Sequence, residues 1–204
     1  MATGTVGVLS LGAAFGMLHA LEVDHLAAVA TLAARDRSIA GTLRQGIAWG
    51  IGHTLTLLAF GGAMLLLGAV VDDRTAHWLE AAVGAMLVVL GADLLRRLLL
   101  AAPGRQPARV PLRAVAVGIM HGLAGSTALV LLALDRTGSA LSGAAYLLMF
   151  GLGSIAGMAF LSAAISMPLR ATAARLAALN RSLQAAIAAF SVGLGLYLLY
   201  INLA

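Results

Sequence analysis

Six runs of mainly apolar residues, each long enough to cross a bilayer, govern what this chain can fold into. A spanning helix needs about 20 such residues. The runs extend from about Val6 to Ala34, Gly46 to Val71, Trp78 to Leu100, Leu112 to Leu134, Ala140 to Met167 and Leu183 to Leu203. The expected fold class is therefore an all-α integral membrane protein with six transmembrane helices. Hydrophobic residues make up 61% of the chain and charged residues 10%, against about 25% charged in a soluble domain. Mean hydropathy is +0.99. Pro111 is expected to open the fourth helix and Pro168 to close the fifth. The first run is too long for a signal-peptide core and lacks a charged leader before it, so it is expected to remain in place.

Charge sets the expected orientation. The net charge of +5 comes from thirteen arginines, with no lysine. Arg35, Arg37 and Arg44 lie in the first connection, Arg96, Arg97, Arg105, Arg109 and Arg113 about the third, and Arg170, Arg175 and Arg181 about the fifth. Only Arg74 and Arg136 fall on the opposite side. The positive-inside rule places the Arg-rich loops in the cytoplasm and both termini outside. Basic loops beside hydrophobic spans are topology determinants and give no nucleic-acid signal. The chain has no cysteine, which removes disulfides, thiolate metal sites and thiol redox relays.

The two halves resemble each other. Gly16-Met-Leu-His19-Ala-Leu matches Gly118-Ile-Met-His121-Gly-Leu, and Gly50-Ile-Gly52-His53-Thr54 matches Gly151-Leu-Gly153-Ser154-Ile155. Glu80-Ala-Ala-Val-Gly-Ala matches Gln184-Ala-Ala-Ile-Ala-Ala. The offsets stay nearly constant across three helices. A unit of three spans crosses the membrane an odd number of times, so its second copy is expected to be inverted. Residues 1–204 then read as one transmembrane domain. Repeat 1 covers about 1–100, a cytoplasmic loop about 101–111, and repeat 2 about 112–204. Inverted repeats are typical of secondary transporters, whose sites lie near the midplane between the repeats.

A central charged residue costs roughly 2.5 to 3.5 kcal/mol on insertion scales, so ionisable groups in a span point to function. The first span nevertheless holds His19, Glu22, Asp24 and His25, the second His53 and the fourth His121. On an unbroken helix at roughly 100° per residue, Asp24 points about 140° away from His19. His19 and His25 would also stand about 9 Å apart along the axis. Either the helix is distorted here, or the residues form successive sites along a path; Gly12 and Gly16 ahead of the cluster favour distortion. Imidazole with carboxylate suits Ni²⁺, Co²⁺, Zn²⁺ or Fe²⁺. His53 and His121 also read as helix-packing histidines, and Glu22 as a neutralising neighbour of a histidine. His77 reads as a solvated residue at a helix edge, and Asp93 as an ion-pair partner of Arg96 and Arg97. The Gly-x-x-x-Gly pairs read as close-packing faces.

The segment His19-Ala-Leu-Glu-Val-Asp24-His25 resembles the HX4DH signature of the nickel/cobalt permease family. Trp49-Gly-Ile-Gly-His53-Thr54 resembles that family's second motif. His121-Gly-Leu-Ala-Gly-Ser126-Thr127 resembles its short NicO and urease-accessory permease branch. The resemblance implies a multi-pass protein of the bacterial inner membrane that carries Ni²⁺ or Co²⁺ as its transported ligand, with no cofactor and no enzymatic activity. It implies metal recognition by His19, Asp24 and His25, with His53 matching the second motif. The longer permeases have eight helices and an LGFDTATE motif, and neither is present here. The six-helix exporters have a histidine-rich loop, which 101–113 lacks; this favours uptake over efflux.

The expected metal residues are thus His19, Asp24, His25, His53 and His121, supported by Glu22, Thr54, Ser126, Thr127 and Ser154. Expected partners are the lipid bilayer and a divalent transition-metal ion, with homo-oligomer formation left open. The competing classes are an exporter of the same family, an intramembrane metalloenzyme, which the lack of an HExxH motif disfavours, and a membrane haem protein.

Overall fold

The computed structural model describes residues 2–34, 38–67, 71–100, 111–137 and 140–204, and these are all-helical. The helices are α1 (Ala2–His19), α2 (Val23–Ala33), α3 (Ile39–Thr56), α4 (Gly62–Leu67), α5 (Asp73–Leu99), α6 (Leu112–Thr137), α7 (Ala140–Arg175) and α8 (Ala177–Leu203). A π-turn, Leu57–Gly61, joins α3 to α4. Four helical stretches are long and apolar enough to cross a membrane: Ile39–Met64, Asp73–Leu99, Leu141–Ala173 and Ala177–Leu203. Leu9–His19, Val23–Ala33 and Leu112–Gly125 are shorter apolar helices. The loop expected over 101–111 lies, except for Pro111, outside the described residues.

The first expected span is divided. α1 stops at His19, where the amides of Leu21 and Glu22 donate to the carbonyls of Leu18 and His19. Glu22 then takes an extended conformation, with φ −59° and ψ 149°. α2 restarts as Leu26 N–H donates to the Glu22 carbonyl. Pro111 stands directly before α6 and accepts the amides of Ala114 and Val115. Pro168 does not close its helix, because α7 continues through it to Arg175. A proline removes one donor and crowds the preceding turn, but neighbouring groups in a bundle can satisfy what is freed. Further along, Thr172 Oγ1 donates to the Pro168 carbonyl, and Asn180 Nδ2 donates to Leu169 O at 2.6 Å, which ties α8 to this stretch of α7.

The helices pack in a definite pattern: α1 on α7, α3 on α6 and α7, and α5 on α8. Small residues allow two of these contacts. A Cβ added to Gly16 would strike the Phe150 carbonyl, and one added to Gly118 would strike that of Trp49. Between these helices lies a core of Ala20, Ala28, Val29, Trp49, Leu87, Ala114 and Met158. Large apolar side chains such as Leu66, Val89, Phe160 and Tyr200 face outward. An extended apolar exterior of this kind suits lipid rather than water. Hydroxyls tie the bundle across the core. Ser191 Oγ of α8 donates to Ala27 O of α2, and Thr54 Oγ1 of α3 donates to Gly151 O of α7.

Candidate metal centre

The break in the first span brings its two histidines together. His19 ends α1 and His25 lies in the first turn of α2, with ring centroids 4.5 Å apart. α3 brings His53 to 5.3 Å from His19 and 5.7 Å from His25. α6 brings His121 to 4.6 Å from His25. Asp24 sits beside both His25 and His121, with Oδ1 at 3.0 Å from His25 Nδ1 and Oδ2 at 3.5 Å from His121 Nε2. One ligand atom from each of His19, His25 and His53 lies within 4.8 Å of the others, and the same holds for Asp24, His25 and His121. His25 belongs to both sets. The structure therefore gathers all five expected metal residues at one place. The helix is distorted here, as the sequence allowed, and the two sets meet at His25.

The hydrogen bonds fix which imidazole nitrogens are available. His19 Nδ1 lies 2.7 Å from Glu22 Oε1. His25 Nδ1 faces Asp24 Oδ1, and His121 Nδ1 lies 3.0 Å from the Val117 carbonyl. A carbonyl or an ionised carboxylate has no proton to give, so in each pair the ring Nδ1–H donates. The lone pair is then left on Nε2. The Nε2 atoms of His19, His25 and His121 are buried without a hydrogen-bond partner, as are both ring nitrogens of His53. His121 Nε2 has only the long approach of Asp24 Oδ2. Leaving a buried polar atom unpaired costs about 1–3 kcal/mol, and several lie together here. Nδ1 tied to an oxygen with Nε2 exposed as a lone pair is the usual arrangement of a metal-binding histidine. This donor set fits a divalent transition metal.

Helix ends supply the electrostatics. Asp24 sits in the first turn of α2, where the positive end of the helix favours a carboxylate. His19 sits in the last turn of α1, where the negative end favours a cation. The break thus makes a polar point in an otherwise apolar span.

The supporting residues divide. Glu22 holds His19. Thr54 and Ser154 serve as ties between helices, Ser154 Oγ donating to Gly16 O at 3.2 Å. The side chains of Ser126 and Thr127 lie outside the described residues. His77 is exposed and donates to the Asp73 carbonyl. Asp93 pairs with Arg96 and Arg97 at 3.5 Å, and Arg113 approaches it more closely at 2.8 Å. Two neighbours of the centre are aromatic residues not expected there. The Trp49 ring stacks on His25 at 5.5 Å and 9°, and Phe150 lies 5.2 Å from His19. Trp49 is one helical turn before His53, so spacing alone could have placed it on the same face.

The fold and the centre define an all-helical protein with membrane-capable helices around a buried cluster of histidines. It is 33% identical over 193 residues to the urease accessory protein UreH of Bacillus sp. (strain TB-90), covering 88% of this chain and 85% of that one. The chain belongs to the family of that accessory protein, and so is grouped with an accessory protein and not with an enzyme. It is also similar to two chloroplast proteins of Arabidopsis thaliana, FOR GROWTH AND FERTILITY 1 and 2, at 27% and 28% identity over 89% of this chain. It spans about half the length of these two, 55% and 53% respectively. No family model matches the chain. No solved structure matches it either.

Proposed function

We propose that this protein is a permease of the nickel/cobalt type, carrying Ni²⁺ first and Co²⁺ second into the cell across a bacterial inner membrane. The observation that carries the reading is the buried group of imidazoles that offer ligand atoms within 4.8 Å of one another and whose Nε2 atoms have no hydrogen-bond partner. The Bacillus relative is by name a urease accessory protein, and this supports nickel as the metal.

The reading includes six spans, with α1 and α2 forming the first and α6 the fourth. It also includes two inverted repeats with both termini outside. The packing supports this. Exchanging the repeats turns α1 on α7 into α6 on α3, and it returns α3 on α7 and α5 on α8 to themselves. Close contacts follow the exchange: Gly16 against Phe150 and Ser154 corresponds to Gly118 against Trp49 and His53. Rocking of one repeat against the other would expose the centre to each side in turn. Protons and metal compete for the same lone pairs, so protonation at the centre drives release. Uptake indifferent to pH and to the proton gradient would contradict that coupling.

Radioactive Ni²⁺ accumulation in cells tests the function. Cells expressing the wild type accumulate more than cells with an empty vector, and His19→Ala, Asp24→Ala or His25→Ala returns them to background. Lower accumulation with the wild type would mean efflux, and no change would sink the transport reading.

A further inference from the structure

Beside the histidines lies a cavity of about 160 Å³, lined by His19, Glu22, Asp24, His25 and His121 and, from α5, by Glu80. Glu80 is the only charged residue between Arg74 and Asp93. It lies seven residues into α5, about 10 Å from that end of the helix, and it is exposed. A carboxylate at that depth facing lipid is costly, whereas a cavity that admits water keeps it solvated. At the corresponding position of the second half stands Gln184, which is uncharged and donates to Asn180 Oδ1 at 2.6 Å.

Exposure falls in order across the cavity. The Glu22 side chain is 56% exposed, Asp24 27%, His19 10% and His25 2%. The chemistry changes with exposure: the more exposed lining groups are carboxylates and the more buried ones imidazoles. Carboxylates hold a divalent cation that still keeps its waters, and imidazoles replace those waters. The buried Nε2 of His25, which has no partner, marks the inner end.

From this we infer that Glu80, with Glu22, forms an acidic vestibule that captures the hydrated divalent cation before it passes to the imidazoles. This deepens the permease reading and rests on it. The vestibule lies toward the end of α5 away from Arg96 and Arg97, which in the proposed orientation is the outer side, where uptake begins. Glu80 acts through its charge on capture, while Glu22 also holds His19 and so acts on retention.

Stopped-flow tryptophan fluorescence of the purified full chain in detergent, mixed with NiCl₂, separates capture from retention. Trp49 is fully buried and stacked on His25, so open-shell Ni²⁺ at the histidines quenches it. The exposed Trp78 is replaced by Phe as the background. Glu80→Gln is expected to slow association about 3- to 10-fold and to weaken its salt dependence, by loss of local steering. Dissociation rate and final stoichiometry stay unchanged, and Glu80→Asp retains fast capture. Glu22→Gln instead speeds dissociation. Unchanged association in Glu80→Gln, or a slower association matched by faster dissociation, overturns the vestibule. Absence of any quench in the Trp78→Phe background, with Ni²⁺ uptake by equilibrium dialysis also absent, overturns the permease reading itself.

Discussion

The helices α1 and α6 carry the same phrase, Gly-x-x-His, at Gly16–His19 and Gly118–His121, and then diverge. After His19 the chain breaks for three residues before α2, whereas after His121 the helix runs on to Thr137. Local propensity does not explain this. The broken stretch Ala20-Leu21-Glu22 contains no glycine or proline, while the continuous one, Gly122-Leu123-Ala124-Gly125, contains two glycines. The carboxylates mark the difference. Glu22 and Asp24 stand at the new helix end, where Asp24 takes the amide of His25 and both hold ring nitrogens. Helix α6 has Ala124 and Ser126 at those places, with no carboxylate to receive freed donors. An unbroken helix satisfies its backbone internally, which a bilayer requires. Helices α1, α2 and α3 thus supply four of the five residues, and α6 contributes His121.

The comparison can be broken most severely at His25, which both candidate ligand sets share. His25→Ala is expected to weaken Ni²⁺ binding by about 100-fold or more, beyond the 10- to 100-fold typical of losing a group that only supports a ligand. Calorimetry on the purified protein measures it; affinity within threefold of wild type would place the ion elsewhere. Asp24→Asn keeps the shape and removes the charge, and should cost about 10- to 100-fold. The same titration reads this, and an unchanged affinity would mean that the broken end of the helix does not need its carboxylate. Ser154→Ala, on the half without the break, should leave affinity within about threefold. It removes one hydrogen bond between α7 and α1, worth about 1 kcal/mol. Thermal unfolding in detergent checks the stability term, and a large loss of affinity would show that the second half supplies more than support.

Much of this architecture was legible in the sequence. The apolar helices announce themselves by length, four among the described residues being long enough to cross a membrane where six spans were expected, and charged groups in apolar runs point to the candidate centre. The helix arithmetic for His19, Asp24 and His25 already demanded distortion or separate sites. What it could not give was the location of the break, because Ala20, Leu21 and Glu22 are good helix formers. The glycines that favoured distortion serve instead as contacts of α1 with α7, as at Gly16. Pro168 reads as punctuation, yet α7 continues through it to Arg175. Trp49 and Glu80 were missed as site residues because neither an aromatic ring nor a single carboxylate near a helix end signals a metal centre on its own, although Trp49 could have been placed by its spacing from His53.

X-ray absorption at the Ni edge of the loaded protein asks whether the break between α1 and α2 makes one imidazole-rich metal site. The expected coordination shell contains at least three imidazoles, falling by one in His53→Ala. A shell of oxygen atoms alone, or an imidazole count unchanged in His53→Ala, would contradict it.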